Sequence, residues 1–222
     1  MPKTAIILGA TGLTGGLLTE LLIKDPDYCK IKIFTRRPSG FSSPKIEEIQ
    51  CDLLNLNVTK TAFTGDVVFC CIGTTKAKTP DRALYHKIDY GIPLEAAQLA
   101  KQNNISTFIV ISSIGTSPRS PFFYVRTKGE MERDVLKLGV PHTYIMKPAF
   151  INGRPDEDRK GEKGLKRIMR ITDFLMIGPL KKYRSTQALQ IAKAMLYLVI
   201  HPQEEPNISN TQIKILSDRY ES

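Results

Sequence analysis

The stretch TAIILGATGLTGGLLT, residues 4–19, decides how this chain folds. Its four consecutive apolar residues, Ala5, Ile6, Ile7 and Leu8, have the pattern of a strand buried on both faces. Gly9, Gly12 and Gly15 follow at three-residue spacing, and an apolar helical pattern begins at Leu13 and runs through Leu17, Leu18, Leu21 and Leu22. Strand, glycine turn and helix in that order point to a dinucleotide. Gly9 suits a sharp turn, Gly12 lets the main chain approach a pyrophosphate, and Gly15 lets the helix pack on its strand. Free N–H groups and the helix dipole at that end attract the anion. The expected contacts from this turn are Gly9, Thr11, Gly12, Leu13, Thr14 and Gly15. The spacing is GxxGxxG, and the Gly-Lys-Ser/Thr of a P-loop is missing. A glycine turn that binds nothing is the plain alternative, and the flanking pattern argues against it.

Working outward, a second strand over residues 30–35 stops at Arg36-Arg37-Pro38. An NAD-binding βαβ unit carries an acidic residue there for the adenosine ribose. Two guanidinium groups instead suit a 2′-phosphate, so NADP(H) is expected over NAD(H); a solvated basic turn is the alternative. A short third strand, residues 45–50, leads to Asp52, which either accepts a hydrogen bond from the adenine amino group or caps the turn that follows. Residues 66–72 form a fourth, almost wholly apolar strand, and the small residues Gly73 and Thr74 behind it let a cofactor lie near the backbone. A long helix is expected over residues 80–103 despite Pro93; His86 on it has no partner at metal-ligand spacing. A fifth strand, residues 107–111, ends at Ser112-Ser113. Hydrophobic strands alternating with helices imply an α/β fold with a doubly wound parallel sheet, helices on both faces. Ligands of such sheets lie across the carboxyl ends of the strands, where Gly9, Arg36, Asp52, Gly73 and Ser113 all fall.

The chemical constellation follows. Tyr124 and Lys128 are four apart and share one face of a helix. A phenol titrates near ~10, and an adjacent ammonium favours its phenolate. Tyr124 is therefore the expected proton donor and acceptor for a carbonyl oxygen, with Ser113 hydrogen-bonding that oxygen and Lys128 also holding ribose hydroxyls. A Tyr-x-x-x-Lys pair alone is weak; after a Ser-Ser strand end, in a chain opening with GxxGxxG, it is strong.

At these residues the chain resembles the short-chain dehydrogenase/reductase superfamily. More closely it is similar to the atypical branch containing the Tat-interacting-protein type of NADPH-binding oxidoreductases and their bacterial relatives. The likeness is carried by GATGLTGG, Arg36-Arg37, CCIGTT (residues 70–75), Ser112-Ser113, YVRTKGE (residues 124–130) and KPAFINGRPDEDRKGE (residues 147–162). It implies a Rossmann-type fold, NADPH binding, Tyr124 as proton-transferring residue and Lys128 on the nicotinamide ribose. It also implies that Cys71 and Ile72 line the cofactor, and that Ile151 and Arg159 touch it. Lys147 and Ala149 stand where relatives often show Arg and Gly. Some members of the branch are discussed as NADPH-responsive regulators, so an NADP(H)-binding regulator acting through a protein partner is the alternative to an oxidoreductase.

The 222 residues suit a single domain, with residues 150–184 as a substrate-covering insertion. The formal charge is +10, and residues 147–184 carry 11 basic against 5 acidic residues, or +6. That basic stretch contains no nucleic-acid recognition motif or stacking surface, so no nucleic acid is expected. Residues 165–176 place apolar side chains on one helical face, which reads as packing on the domain, a partner or membrane-surface helix, or a lid; the 159–184 segment is thus a candidate protein-partner surface. Four cysteines without a CxxC pair and no 18-residue apolar run imply a reducing compartment and no membrane span, and a cytoplasmic protein is expected. A sixth strand over 142–146, a last helix over 186–200 and an edge strand over 212–216 complete the expectation.

Overall fold

Lys3–Leu8 forms β1, and its apolar run is buried from both sides. The computed structural model of the protein describes residues 2–153 and 184–221. Six further strands complete one sheet: β2 (Tyr28–Thr35), β3 (Ile46–Gln50), β4 (Val67–Cys70), β5 (Thr107–Ile111), β6 (His142–Lys147) and, after two short strands, β9 (Asn207–Ser209). Their order is β3-β2-β1-β4-β5-β6-β9, and every pairing is parallel. The two short strands, β7 (Ile151–Asn152) and β8 (Thr186–Gln187), pair with each other in a separate parallel ribbon. The helices are α1 (Leu13–Lys24), α2 (Arg82–His86), α3 (Ile92–Gln102), α4 (Phe123–Lys137), α5 (Ala188–Ile200) and α6 (Asn210–Glu221).

Successive strand residues point to opposite faces, and both faces are apolar. Ala5 and Ile7 of β1, Val67 and Phe69 of β4, and Ile109 of β5 join one core with Leu18 and Leu22 of α1, Met195 of α5 and Ile213 of α6. Ile6, Leu8, Val68, Cys70, Phe108 and Val110 join the other, against Ala96 and Leu99 of α3 and Met131 and Val135 of α4. The doubly wound sheet expected from the sequence is therefore the one that forms. The chain reverses its winding between β1 and β4, so the ligand crevice of such a sheet opens at their carboxyl ends.

Two local readings need correction. Residues 212–216 are not an edge strand: they lie in α6, and β9 takes the edge. The alternation of Ile213 and Ile215 suggests a strand, yet Ile213 and Leu216 are the buried pair, at helical spacing, while Ile215 is exposed. A start signal decides it. Ser209 Oγ accepts from Gln212 N at 3.3 Å and Gln212 Oε1 accepts from Ser209 N at 2.8 Å, a capping box. The long helix over 80–103 is also not uniform. A π-helical turn at residues 87–91 separates α2 from α3, placing Pro93 in the first turn of α3, where its missing N–H costs least.

Removing the Ser209 hydroxyl leaves an orphan amide at the start of α6. Ser209→Ala is expected to lower the unfolding free energy by about 1 kcal/mol in urea titration, with the slope unchanged.

Candidate functional site

The glycine turn is held by main-chain contacts that leave no room for side chains. Gly9 has φ +87°, and a Cβ there would lie 2.8 Å from the Cys71 carbonyl oxygen. A Cβ on Gly15 would lie 2.2 Å from the Gly9 carbonyl oxygen, which would drive α1 off β1. Gly12 donates its N–H to Gly9 O at 3.0 Å, and among the described residues no side chain caps the start of α1. Thr11 and Gly12 are exposed, Leu13 half-buried, and Thr14 and Gly15 buried. First-turn amides and helix dipole thus face the crevice uncapped, a cradle that fits a dinucleotide pyrophosphate. Ile151 on β7 packs on the core beside this cradle, since Gly153, two residues on, approaches the Leu13 side chain. Arg159 lies outside the described residues, as does the apolar helical face over 165–176.

Arg36 and Arg37 stand exposed just past β2, and neither pairs with a carboxylate among the described residues. Asp52 is exposed past β3, and its Oδ1 accepts from Leu54 N at 3.0 Å, so the carboxylate caps its own turn. Cys71 and Ile72 continue β4; Cys71 presents its carbonyl to Gly9, and Ile72 packs on the second core. Burial pushes the Cys70 thiol up to about 12 and raises the Cys71 thiol as well, so both are held in the thiol form.

Across the crevice, α4 presents Tyr124, Lys128 and Glu132 at four-residue spacing. Lys128 Nζ lies 2.8 Å from Asp89 Oδ1, in an ion pair whose side chains are 15% and 0% exposed. The other Asp89 oxygen accepts from Thr74 N at 2.8 Å. Burial, reinforced by the nearby Asp89 charge, raises the Tyr85 phenol well above its usual value, so it stays protonated. The Tyr85 ring meets the Tyr124 ring edge-on at 4.7 Å between centroids. One carboxylate therefore ties the loop after β4, the π turn and α4 together, with Lys128 against Gly73, where a Cβ would come within 3.9 Å of Nζ.

Ser112 and Ser113 end β5 differently. The buried Ser112 hydroxyl donates to Glu132 Oε1, which also accepts from Thr116 Oγ1 at 2.6 Å, while Lys147 Nζ pairs with Glu132 Oε2 at 2.8 Å. Ser113 is half-buried, and its hydroxyl has no protein partner among the described residues; the same holds for the Tyr124 hydroxyl. The loop leaving Ser113 is pressed onto α4 at Gly129, where a Cβ would fall 2.3 Å from the Ser117 carbonyl carbon. That close approach seats the loop on α4.

Sequence reasoning missed Asp89 and Glu132. Glu132 was findable as the next four-residue step after Tyr124 and Lys128. Asp89 was signalled only by an acidic residue inside an apolar helical pattern just ahead of a proline.

With this geometry in view, residues 9–171 match the NAD(P)H-binding family. The chain belongs to that family. Its relatives include protein FMP52, mitochondrial, of Candida albicans, 37% identical over 73% of this chain and 71% of the relative. The protein of the same name from Meyerozyma guilliermondii is 28% identical over 98% of this chain and 97% of the relative. These names overturn the cytoplasmic expectation, for the curated relatives are mitochondrial proteins. They are also FMP52 proteins rather than the Tat-interacting-protein type. Among solved structures, the Bordetella bronchiseptica enzyme WbmH in complex with NAD+ superposes with TM-score 0.69 at 17% identity, over 97% of this chain and 79% of that one. A short-chain dehydrogenase/reductase superfamily protein from Agrobacterium tumefaciens with bound NAD gives TM-score 0.67 at 16% identity, over 92% and 76%. The fold is the Rossmann-like α/β fold, and the domain is NAD(P)-binding. Among the described residues, no helix is long and apolar enough to cross a membrane.

Asp89→Ala strands the Lys128 ammonium without its partner in a largely closed site. A loss of about 3 kcal/mol in unfolding free energy is expected, and Asp89→Leu combined with Lys128→Met should recover most of it.

Proposed function

We propose that the protein is an NADPH-dependent oxidoreductase acting on a carbonyl or alcohol, in which Tyr124, Lys128 and Ser113 handle the proton. The observation that carries this reading is the Asp89-centred cluster, which holds Lys128 beside the Tyr85–Tyr124 ring pair across the crevice from the uncapped glycine turn. Bound NADPH supplies the hydride. The Tyr124 hydroxyl gives its proton to the carbonyl oxygen, and Ser113 donates a hydrogen bond to the same oxygen. The Lys128 ammonium stabilises the phenolate left behind and takes up ribose hydroxyls. Gly9, Thr11, Gly12, Leu13, Thr14 and Gly15 cradle the pyrophosphate, Cys71, Ile72, Gly73 and Thr74 offer it a close main chain, and Ile151 flanks it. Arg159 would touch the cofactor, and residues 150–184 would be the substrate-covering insertion.

Arg36 and Arg37 would pair with the 2′-phosphate, since two exposed guanidinium groups with no carboxylate partner among the described residues stand at the end of β2. Asp52 would accept from the adenine amino group through its second oxygen, since Oδ1 already accepts from Leu54 N in its own turn. A second reading has its own support. Asp89 takes up the charge of Lys128 directly, which weakens the aid Lys128 gives to the phenolate and favours an NADP(H)-binding regulator. The mitochondrial names of the relatives extend to this chain as its proposed location.

Tyr124→Phe separates the two readings. Turnover of a carbonyl panel should fall by roughly 100-fold or more while NADPH affinity stays within twofold; unchanged turnover would remove Tyr124 from the chemistry. Changing Arg36 and Arg37 to Ala should weaken NADPH by roughly tenfold or more and leave NADH nearly unaffected, read by fluorescence titration. Equal losses for both nucleotides would refute the 2′-phosphate role.

A further inference from the structure

The mouth of the site on the Tyr124 side is aromatic, and two cations are laid on it. Tyr85, Phe123 and Tyr124 meet one another edge-on, with centroids 4.7 to 5.9 Å apart. Lys76 Nζ stands 5.9 Å from the Tyr124 ring centroid, and Arg82 Cζ stands 5.5 Å from that of Phe123. Both cations are exposed, and among the described residues neither has a carboxylate partner. The nearby acids are engaged elsewhere. Asp81 Oδ1 caps α2 by accepting from Leu84 N at 2.8 Å, Asp89 is buried on Lys128, and Glu130 faces His86 and Arg126.

Ring contacts hold the two stems in place without neutralising their charge, because a cation over an exposed aromatic face gains only about 0.5–1 kcal/mol. Lys76 sits on a short loop fixed at both ends. Thr74 N is anchored on Asp89, Thr74 Oγ1 meets Thr79 Oγ1 at 2.8 Å, and Thr79 N donates to Thr75 O at 2.9 Å. The cation is thus pre-placed beside the Tyr124 ring, so less ordering is needed when it meets an anion.

We propose that Lys76 and Arg82 form an anion-recognition edge of the substrate pocket, and that the substrate carries a carboxylate or phosphate close to its carbonyl. The inference rests on the carbonyl-oxidoreductase reading and names the substrate class of that same site. Lys76 is held over the Tyr124 ring and Arg82 over the adjoining Phe123 ring, so a substrate anion at this edge would meet both charges.

The test uses the full chain saturated with NADPH, and two probes. Oxalate, an unreactive anion, is titrated calorimetrically into the wild type and into the double variant Lys76→Gln, Arg82→Gln. Saturable binding, weakened at least tenfold in the variant, is expected. Phenylglyoxylate and its methyl ester share one ketone and differ in charge; the wild type should prefer the acid in kcat/KM, and that preference should fall at least tenfold in Lys76→Gln. No saturable oxalate binding, or equal binding in the variant, overturns the proposal, as does an ester turned over as well as its acid. Variant-sensitive oxalate binding with no turnover of either ketone supports the anion edge and removes the oxidoreductase reading.

Discussion

The close main-chain approach of Gly9 to Cys71 is the constraint on which the rest of the structure depends. It brings the carboxyl end of β1 against that of β4, at the point where the sheet reverses its winding. Gly15 repeats the device one helical turn later by seating α1 on the Gly9 carbonyl. Helix dipole, uncapped amides and the open strand ends then converge without any side chain having to reach them. A chain built this way commits its best anion site before any catalytic residue is chosen, which is why the family match and the geometry agree on a nicotinamide dinucleotide.

The second half of the site is built differently, from buried charge. Asp89 and Glu132 each take a lysine from another element, Lys128 and Lys147; Asp89 also accepts from Thr74 N, and Glu132 from the Ser112 and Thr116 hydroxyls. Buried ion pairs are costly unless so satisfied, and their return lies in fixing one arrangement. Here the arrangement fixed is the face of α4 that carries Tyr124. The ion pair also tempers the chemistry, because the lysine that would assist a phenolate is partly spoken for. The same structural choice thus underlies both the proposed reductase and its regulatory rival.

The sheet was legible because strands buried on both faces write themselves as apolar runs, as at residues 5–8 and 107–111. The glycine turn was legible because spacing and flanks agree. Asp52 was ambiguous in the sequence, since an aspartate after a strand serves equally as a ligand and as a turn cap; the structure gives one oxygen to the turn. The stretch 212–216 misled because two isoleucines two apart imitate a strand, while the deciding Ser209–Gln212 box lies just upstream. Asp89 was marked only as an acidic residue inside an apolar helical pattern; the structure buries it within a π turn, which periodicity does not foresee. Location was not legible at all, for the relatives' mitochondrial names correct a reading that rested only on cysteine usage and the missing membrane span.

A crystal structure of the full chain grown with NADPH tests the central claim most directly. The account predicts the pyrophosphate on the amides of residues 12–14 and the nicotinamide ring within hydrogen-bonding reach of Lys128 through its ribose, facing Tyr124. A nucleotide seated away from the β1–β4 crevice, or a nicotinamide end directed toward β3 with Tyr124 left facing solvent, would contradict it.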